Sequence, residues 1–599
     1  MKKFKKLDLK ERFRVSRNDT QIGLKQLVWL GFNYTCSMGF TLTLSRTFGG
    51  KTGVGMHLFW IIILGAIVAG GAAWAFAKCA EVYSDKNGGA FEYTRRTFGR
   101  FNGWMVGFYQ YVLIPVTTPA SILVILAVAF QGMYDPTMWG SEEQTRLYLN
   151  LISIGIYVCL SLLVLLGTKV FKIATNLTSG VKWVLLIMVY VAAIIIMVDT
   201  KGGNFKDAAN TGELTSHNFN TAFSAFFYAY TGFETFAAVG ENVKNPKKTM
   251  PKAIMLVLMV AVIFYMVGLV FVMGSLGGTI NENPNNQIIQ LGLGAGSLVI
   301  VGISNIAANI NGFMQGAFYS GGMLQPLVDQ KMITTKVAVL NKQGLAVKAL
   351  FLNMILTVLF SLFWLVLPYI LNNNAIDYTS LVGFNSIVMF IVYGYVISAA
   401  LVLSYKKKTS SSWFVYAIWI SVLAFLGYQC VMYFVDFQTN KWQILTFGVV
   451  TTLAISWYFL GATLQQKQKF YNYRIKKLEQ LLANTTSETQ KEKLSAKLIY
   501  INDQQSWVIA EIAKGKQSYQ DLIDWKDTED YKEIMINKGL VKDMKERALL
   551  DGSKQIYVPK FILKNKVNRI KKENQETTKN QNLDYLTKIE LQNLIQNKQ

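Results

Sequence analysis

Apolar stretches of about 20 residues, the length that crosses a bilayer core roughly 30 Å thick, recur along this chain from Ile22 to Leu464. No water reaches the backbone at that depth, so each such stretch must satisfy its own hydrogen bonds as a helix. The spans fall near residues 22–44, 57–79, 102–131, 147–167, 173–198, 218–240, 252–276, 295–327, 347–371, 379–404, 413–435 and 442–464. The expectation is an all-α integral membrane protein with about 12 transmembrane helices. Composition agrees: 52% of the residues are hydrophobic, 16% are charged and 46 are glycine.

The basic residues carry the topology. The formal net charge of +24 suggests nucleic acid only until its placement is read. Alternate loops hold Lys86, Arg95, Arg96 and Arg100; Lys169 and Lys172; Lys244, Lys247 and Lys248; Lys331, Lys336 and Lys342; and Lys406 to Lys408. The intervening loops are thinly basic, and Leu276–Gly296 has no Lys or Arg at all. Under the positive-inside rule both chain ends are expected in the cytoplasm of a multi-pass plasma-membrane protein. The N-terminal segment, residues 1–21, is itself basic. The apolar run behind it lacks a small-residue exit, so it reads as a retained first helix.

After Leu464 the composition changes, so the expected division is a membrane domain at 22–464 and a charged tail at 465–599. Lys491, Lys493 and Lys497 alternate with Leu494, Leu498 and Ile501 near helical spacing, giving a mainly helical cytoplasmic tail. Its last portion, around Lys564–Asn582, is weaker in pattern. A basic tail beside an anionic inner leaflet gains nonspecific lipid attraction; a sensing or scaffolding role for it remains an open alternative.

Cys36, Cys79, Cys159 and Cys430 lie in or at the ends of apolar runs without a CxxC, so neither a disulfide framework nor a metal site is expected. His57 and His217 sit near span ends as interfacial side chains. Gly49-Gly50-Lys51-Thr52 resembles the end of a phosphate loop, but Ser45 stands where its first glycine is needed. No cofactor and no enzymatic activity are expected.

Two spans are chemically odd. The first reads Gly31-Phe32-Asn33-Tyr34-Thr35-Cys36-Ser37-Met38-Gly39-Phe40 and the sixth Phe227-Tyr228-Ala229-Tyr230-Thr231-Gly232-Phe233-Glu234. Glycine costs about 1 kcal/mol against alanine inside a helix, so such clusters are weak points. If the helices open there, free N–H groups suit a carboxylate and free C=O groups an ammonium. Close packing through small residues is the competing reading. First and sixth are corresponding positions if helices 1–5 and 6–10 are inverted halves, the arrangement that marks transporter sites.

The sixth span and its exit, F-F-Y-A-Y-T-G-F-E-T-F-A-A-V-G-E-N-V-K-N-P-K-K-T-M-P-K-A-I (Phe226–Ile254), resemble the signature of the amino acid–polyamine–organocation superfamily. The loop Ala80-Glu81 followed by Gly88-Gly89-Ala90-Phe91-Glu92-Tyr93-Thr94-Arg95-Arg96-Thr97-Phe98-Gly99 resembles a second motif of that superfamily at the expected spacing. The resemblance covers roughly Ile22–Leu464 and implies a leucine-transporter-type 5+5 inverted repeat plus two helices, working by alternating access as an amino-acid permease. It implies substrate contacts at Thr35, Cys36, Ser37, Met38 and Gly39, and at Tyr228, Ala229, Tyr230, Thr231 and Gly232. Met38 departs from the family's G-S-G and puts substrate identity in question.

By the same resemblance Lys182 falls where proton-coupled members replace a sodium ion with lysine between the first, fifth and eighth helices. Desolvation disfavours an ammonium, so a lysine there exchanges its proton as the site opens and closes. A snorkelling interfacial anchor is the alternative. Glu234, a carboxylate within a span, is functional by default or caps its own frayed helix. The implied activity is proton-coupled amino-acid symport or amino-acid exchange. A polyamine carrier of the same fold is the alternative, and it would favour more carboxylates than Glu234 along the pathway.

Overall fold

A helix of twelve residues is about 18 Å long and falls short of a bilayer core of roughly 30 Å. The sixth span holds a helix of that length, Ser216–Phe227 (12 residues), and the described part of the first is Leu24–Thr35, beyond which residues 36–42 lie outside the described residues. In this computed structural model nine other described helices are long and apolar enough to cross, from Gly55–Tyr83 to Asn440–Ala462. The eighth span, Leu298–Asp329, has the length at 32 residues, although its apolar part is confined to Val299–Met314. The sixth span is thus set apart by its interruption, and the bundle is an all-helical membrane fold.

The structure describes most of residues 23–526, together with 546–551 and 554–559. Outside the described residues lie 1–22, 36–42, 45–46, 50–52, 84–87, 131–133, 210–211, 235–244, 281–283, 335–336, 342–345, 371–377, 527–545, 552–553 and 560–599, with a few single positions.

Side-chain caps set several helix ends. Ser141 Oγ accepts from the Gln144 N–H at 3.1 Å and Gln144 returns its side-chain oxygen to the Ser141 N–H at 3.2 Å, a reciprocal cap on the fourth span. Thr215 caps the sixth span through the Asn218 N–H at 3.1 Å. Pro115 and Pro119 interrupt the backbone ladder of the third span, and the hydroxyls of Thr117 and Thr118 donate to the carbonyls of Leu113 and Ile114 beside them.

Burial follows the logic of a bundle in lipid, where large apolar side chains gain little by turning inward and small or polar groups collect between helices. Ile187, Val184 and Leu177 on the fifth span point outward, whereas Asn150, Ser153, Thr357, Ser361 and Ser386 are buried. At Gly65 on the second span an added Cβ would come within 2.7 Å of the Tyr230 ring. The absence of a side chain there lets the sixth span lie against the second at the level of its interruption.

The chain divides into two units, residues 1–456 and 457–599. The second begins with the end of the last span and continues as helices Leu464–Ala483 and Glu488–Lys526, which fold back on one another across a short turn. Beyond them strands β1 (Glu546–Asp551) and β2 (Lys554–Pro559) pair antiparallel, with Ala548 opposite Tyr557. The sequence predicts a helical tail, and this hairpin departs from it. Leu549, Leu550, Ile556, Tyr557 and Val558 form runs too short and too closely flanked by charge to stand out, and only their pairing makes them strands.

Candidate functional site

The sixth span stops being an α-helix where its glycine and hydroxyl cluster lies. After Phe227 the chain tightens into a 3₁₀ turn at Tyr228–Tyr230, and Thr231 is then extended at φ −75° and ψ 155°. Gly232 follows at φ 124°, a region open to glycine and strained for a residue with a Cβ. Thr231 donates both its N–H, at 3.1 Å, and its hydroxyl, at 2.8 Å, to the Tyr228 carbonyl.

Breaking the ladder frees backbone groups that cannot be left bare at this depth. Glu234 supplies the acceptor on one side. Both of its carboxyl oxygens lie 2.9 Å from the Gly232 nitrogen, and the Tyr393 hydroxyl of the tenth span donates to Oε2 at 3.0 Å. Glu234 is buried and sits beneath an aromatic group in which Tyr393 packs on Phe233, Phe76 and Phe227.

On the other side the freed groups are carbonyls. The Tyr265 hydroxyl, from the seventh-span helix Pro246–Leu276, lies within hydrogen-bonding distance of the Ala229 carbonyl and 3.3 Å from that of Thr35. Thr35 is the last described residue of the helix Leu24–Thr35, so a carbonyl of the first span and one of the sixth meet at one hydroxyl. With a single proton Tyr265 donates fully to one of them at a time. The Thr35 hydroxyl oxygen is buried with no hydrogen-bond partner among the described residues.

The remaining predicted contacts divide. Cys36, Ser37, Met38 and Gly39 lie outside the described residues. Tyr230 is fully buried, its hydroxyl donating to the Ile62 carbonyl at 2.7 Å and its ring packed on Phe226 and Tyr265. Tyr228 is half-buried and packs against an apolar cluster that contains Tyr157, Phe313 and Trp364.

Lys182 is 5% exposed, and its ammonium nitrogen lies 4.8 Å from the centroid of the Trp183 ring. Trp183 in turn stacks on Phe32 of the first span at 5.0 Å and 12°. From the eighth span Asn311 donates to the Ser179 hydroxyl at 2.6 Å and lies 3.3 Å from the Thr175 carbonyl. The first, fifth and eighth helices therefore adjoin around the turn that carries Lys182. Tyr265, Tyr393 and Asn311 are not anticipated from the sequence, because a lone tyrosine or asparagine in an apolar run says nothing of its partner.

The second motif forms a short helix, Ala90–Phe98. Its Glu92, 2% exposed, accepts from Arg95 at 2.7 Å and from Arg96 at 3.0 Å. Arg100 donates to the Gln330 carbonyl at 2.7 Å and ties the start of the third span to the end of the eighth. Among the described residues no group of three or more His, Cys, Asp or Glu is placed to hold a metal ion.

A multi-pass helical bundle whose sixth span breaks at buried, capped backbone groups fits the class of membrane transport proteins. The chain matches the amino acid permease family over residues 22–455 and belongs to that family. An uncharacterized protein of Mycoplasma genitalium is 24% identical over 409 residues, covering 64% of this chain and 81% of that protein. The serine/threonine exchanger SteT of Bacillus subtilis is 25% identical over 224 residues, 36% of this chain and 48% of the exchanger. Among solved structures, that of MhsT in complex with L-phenylalanine is similar, with a TM-score of 0.48 and 13% identity over 68% of this chain and 97% of MhsT.

Proposed function

We propose that this chain carries neutral amino acids across the plasma membrane by alternating access at the interruption in the sixth span and a matching one in the first after Thr35. The observation that carries the reading is the meeting of the Thr35 and Ala229 carbonyls at the Tyr265 hydroxyl. Opened helices present C=O groups to an ammonium and N–H groups to a carboxylate, and an α-amino acid offers both. Thr35 to Gly39 of the first span and Tyr228 to Gly232 of the sixth are the proposed substrate contacts.

The charge at the site favours a neutral side chain. Glu234 is already committed to Gly232 and Tyr393, which leaves it poorly placed to receive a second ammonium of a polyamine. Lys182 is the proposed coupling residue. Buried against Trp183, it gains or loses a proton as the first helix moves, which drives symport, while exchange proceeds without net proton transfer. The basic loops orient both chain ends toward the cytoplasm.

Purified full-length protein in liposomes, loaded in turn with neutral, cationic and anionic amino acids and with polyamines, tests this by counterflow. Exchange of labelled neutral amino acids is expected. A carrier that moves polyamines alone, or none of these solutes, overturns the reading.

A further inference from the structure

The helix Leu464–Ala483 has two unlike faces. Tyr471, Ile475, Leu478 and Leu482 are half-buried at the i, i+4, i+7, i+11 spacing of one face. Phe470, Arg474, Lys477 and Leu481 repeat that spacing on an exposed face, joined there by Tyr473. Phe470, Tyr473 and Leu481 are 49%, 66% and 45% exposed, too much apolar surface on one short helix to pass as scattered residues. The Arg474 guanidinium lies 5.4 Å from the Phe470 ring centroid, so charge and aromatic surface are interleaved. Lys467, Lys469 and Lys476 add to the charge, and Glu479 is the one acid in the helix sequence.

Position supplies the second argument. The last membrane span, Asn440–Ala462, ends with Trp457 and Phe459 more than half exposed, side chains suited to the headgroup level of a bilayer. Thr463 is extended at ψ 149° and its hydroxyl caps the next helix through the Gln466 N–H. The basic helix is therefore a new element, started one residue after the span ends, and not a continuation of it. A face tethered so close to lipid meets the bilayer surface at high effective concentration.

We propose that Phe470, Tyr473, Arg474, Lys477 and Leu481 form a docking face for the anionic headgroup surface of the membrane that the chain itself crosses. The basic side chains meet lipid phosphates while the aromatic and leucine side chains enter the headgroup–acyl boundary. This assigns to one face of one helix what a basic tail alone offers only diffusely, and it does not rest on the transport reading.

The test uses the full-length protein with its native cysteines replaced and a nitroxide attached through Leu481→Cys or, on the opposite side of the helix, Glu479→Cys. Each is placed in discs of phosphatidylcholine alone or of equal parts phosphatidylcholine and phosphatidylglycerol. In the anionic discs the label at position 481 is expected to lose access to an aqueous nickel chelate several-fold and to gain access to oxygen, while the label at 479 stays unchanged. Adding Arg474→Glu and Lys477→Glu is expected to erase the difference between lipids. Equal accessibility at 481 in both lipids, or a contrast that survives the double charge reversal, overturns the proposal. So does protection at 481 in neutral lipid and in detergent alike, which would show that protein covers this face.

Discussion

The Tyr393 hydroxyl donates to Oε2 of Glu234 at 3.0 Å and so holds the tenth span to the interruption in the sixth. Because Glu234 also accepts from the Gly232 N–H, the carboxyl satisfies two buried donors at once. Glu234→Leu strands both, at about 1–3 kcal/mol for each unsatisfied group. It is expected to lower the melting temperature in detergent by several degrees and to abolish uptake, whereas Glu234→Gln, which keeps an acceptor oxygen, retains most of the stability. Scanning fluorimetry on the two variants compares them directly, and equal melting curves would remove the structural role.

Tyr265→Phe removes one oxygen and leaves the ring packing on Tyr230 and Phe226 in place. A net hydrogen bond of about 1 kcal/mol corresponds to roughly fivefold in affinity, so apparent substrate affinity is expected to weaken by about 3- to 10-fold with expression unchanged. Counterflow at graded substrate concentration measures it. An unaltered affinity would mean that the first and sixth spans are held together here by other contacts.

Gly232→Ala places a Cβ at φ 124°, a strain of about 1–3 kcal/mol. Lower thermal stability and impaired uptake are expected together. Gly180→Ala on the fifth span is the matched control, since nothing lies within 4 Å of its added Cβ and its helix gains about 1 kcal/mol in propensity. Identical behaviour of the two variants would show that the interruption tolerates an ordinary backbone.

Lys182→Ala is expected to lose accumulation driven by a pH gradient while retaining exchange. Lys182→Arg should behave similarly, because a guanidinium stays charged. Uptake into liposomes with imposed proton or sodium gradients separates the cases. A sodium requirement in the native protein, or native pH dependence in the alanine variant, would reduce Lys182 to a packing residue beside Trp183.

Much of the architecture was legible before any coordinates. A run such as Ile61–Val68 or Val184–Val198 has one solution in lipid, because unpaired backbone polar groups there cost several kcal/mol each, so length and apolarity alone give spans. The interruption in the sixth span was legible too, since Tyr230-Thr231-Gly232 places a glycine and a hydroxyl where an uninterrupted helix would gain nothing from them. The tail hairpin at 546–559 was not, because β1 and β2 are defined by each other and not by either sequence.

What the sequence determined by itself, then, was the helical membrane bundle, the weak point in the sixth span and the family, all of which rest on local composition or on short contiguous motifs. The tertiary structure alone decided that Tyr265 joins Thr35 to Ala229, that Glu234 is held by Tyr393, and that Asn311 reaches the turn before Lys182. Each of these contacts joins residues from different helices. Hydrophobicity sets which residues enter the membrane, but it is nearly blind to which helix face meets which neighbour. That choice is made by the packing of small residues such as Gly65 against Tyr230 and by hydrogen bonds between distant partners, and neither leaves a periodic trace in the chain.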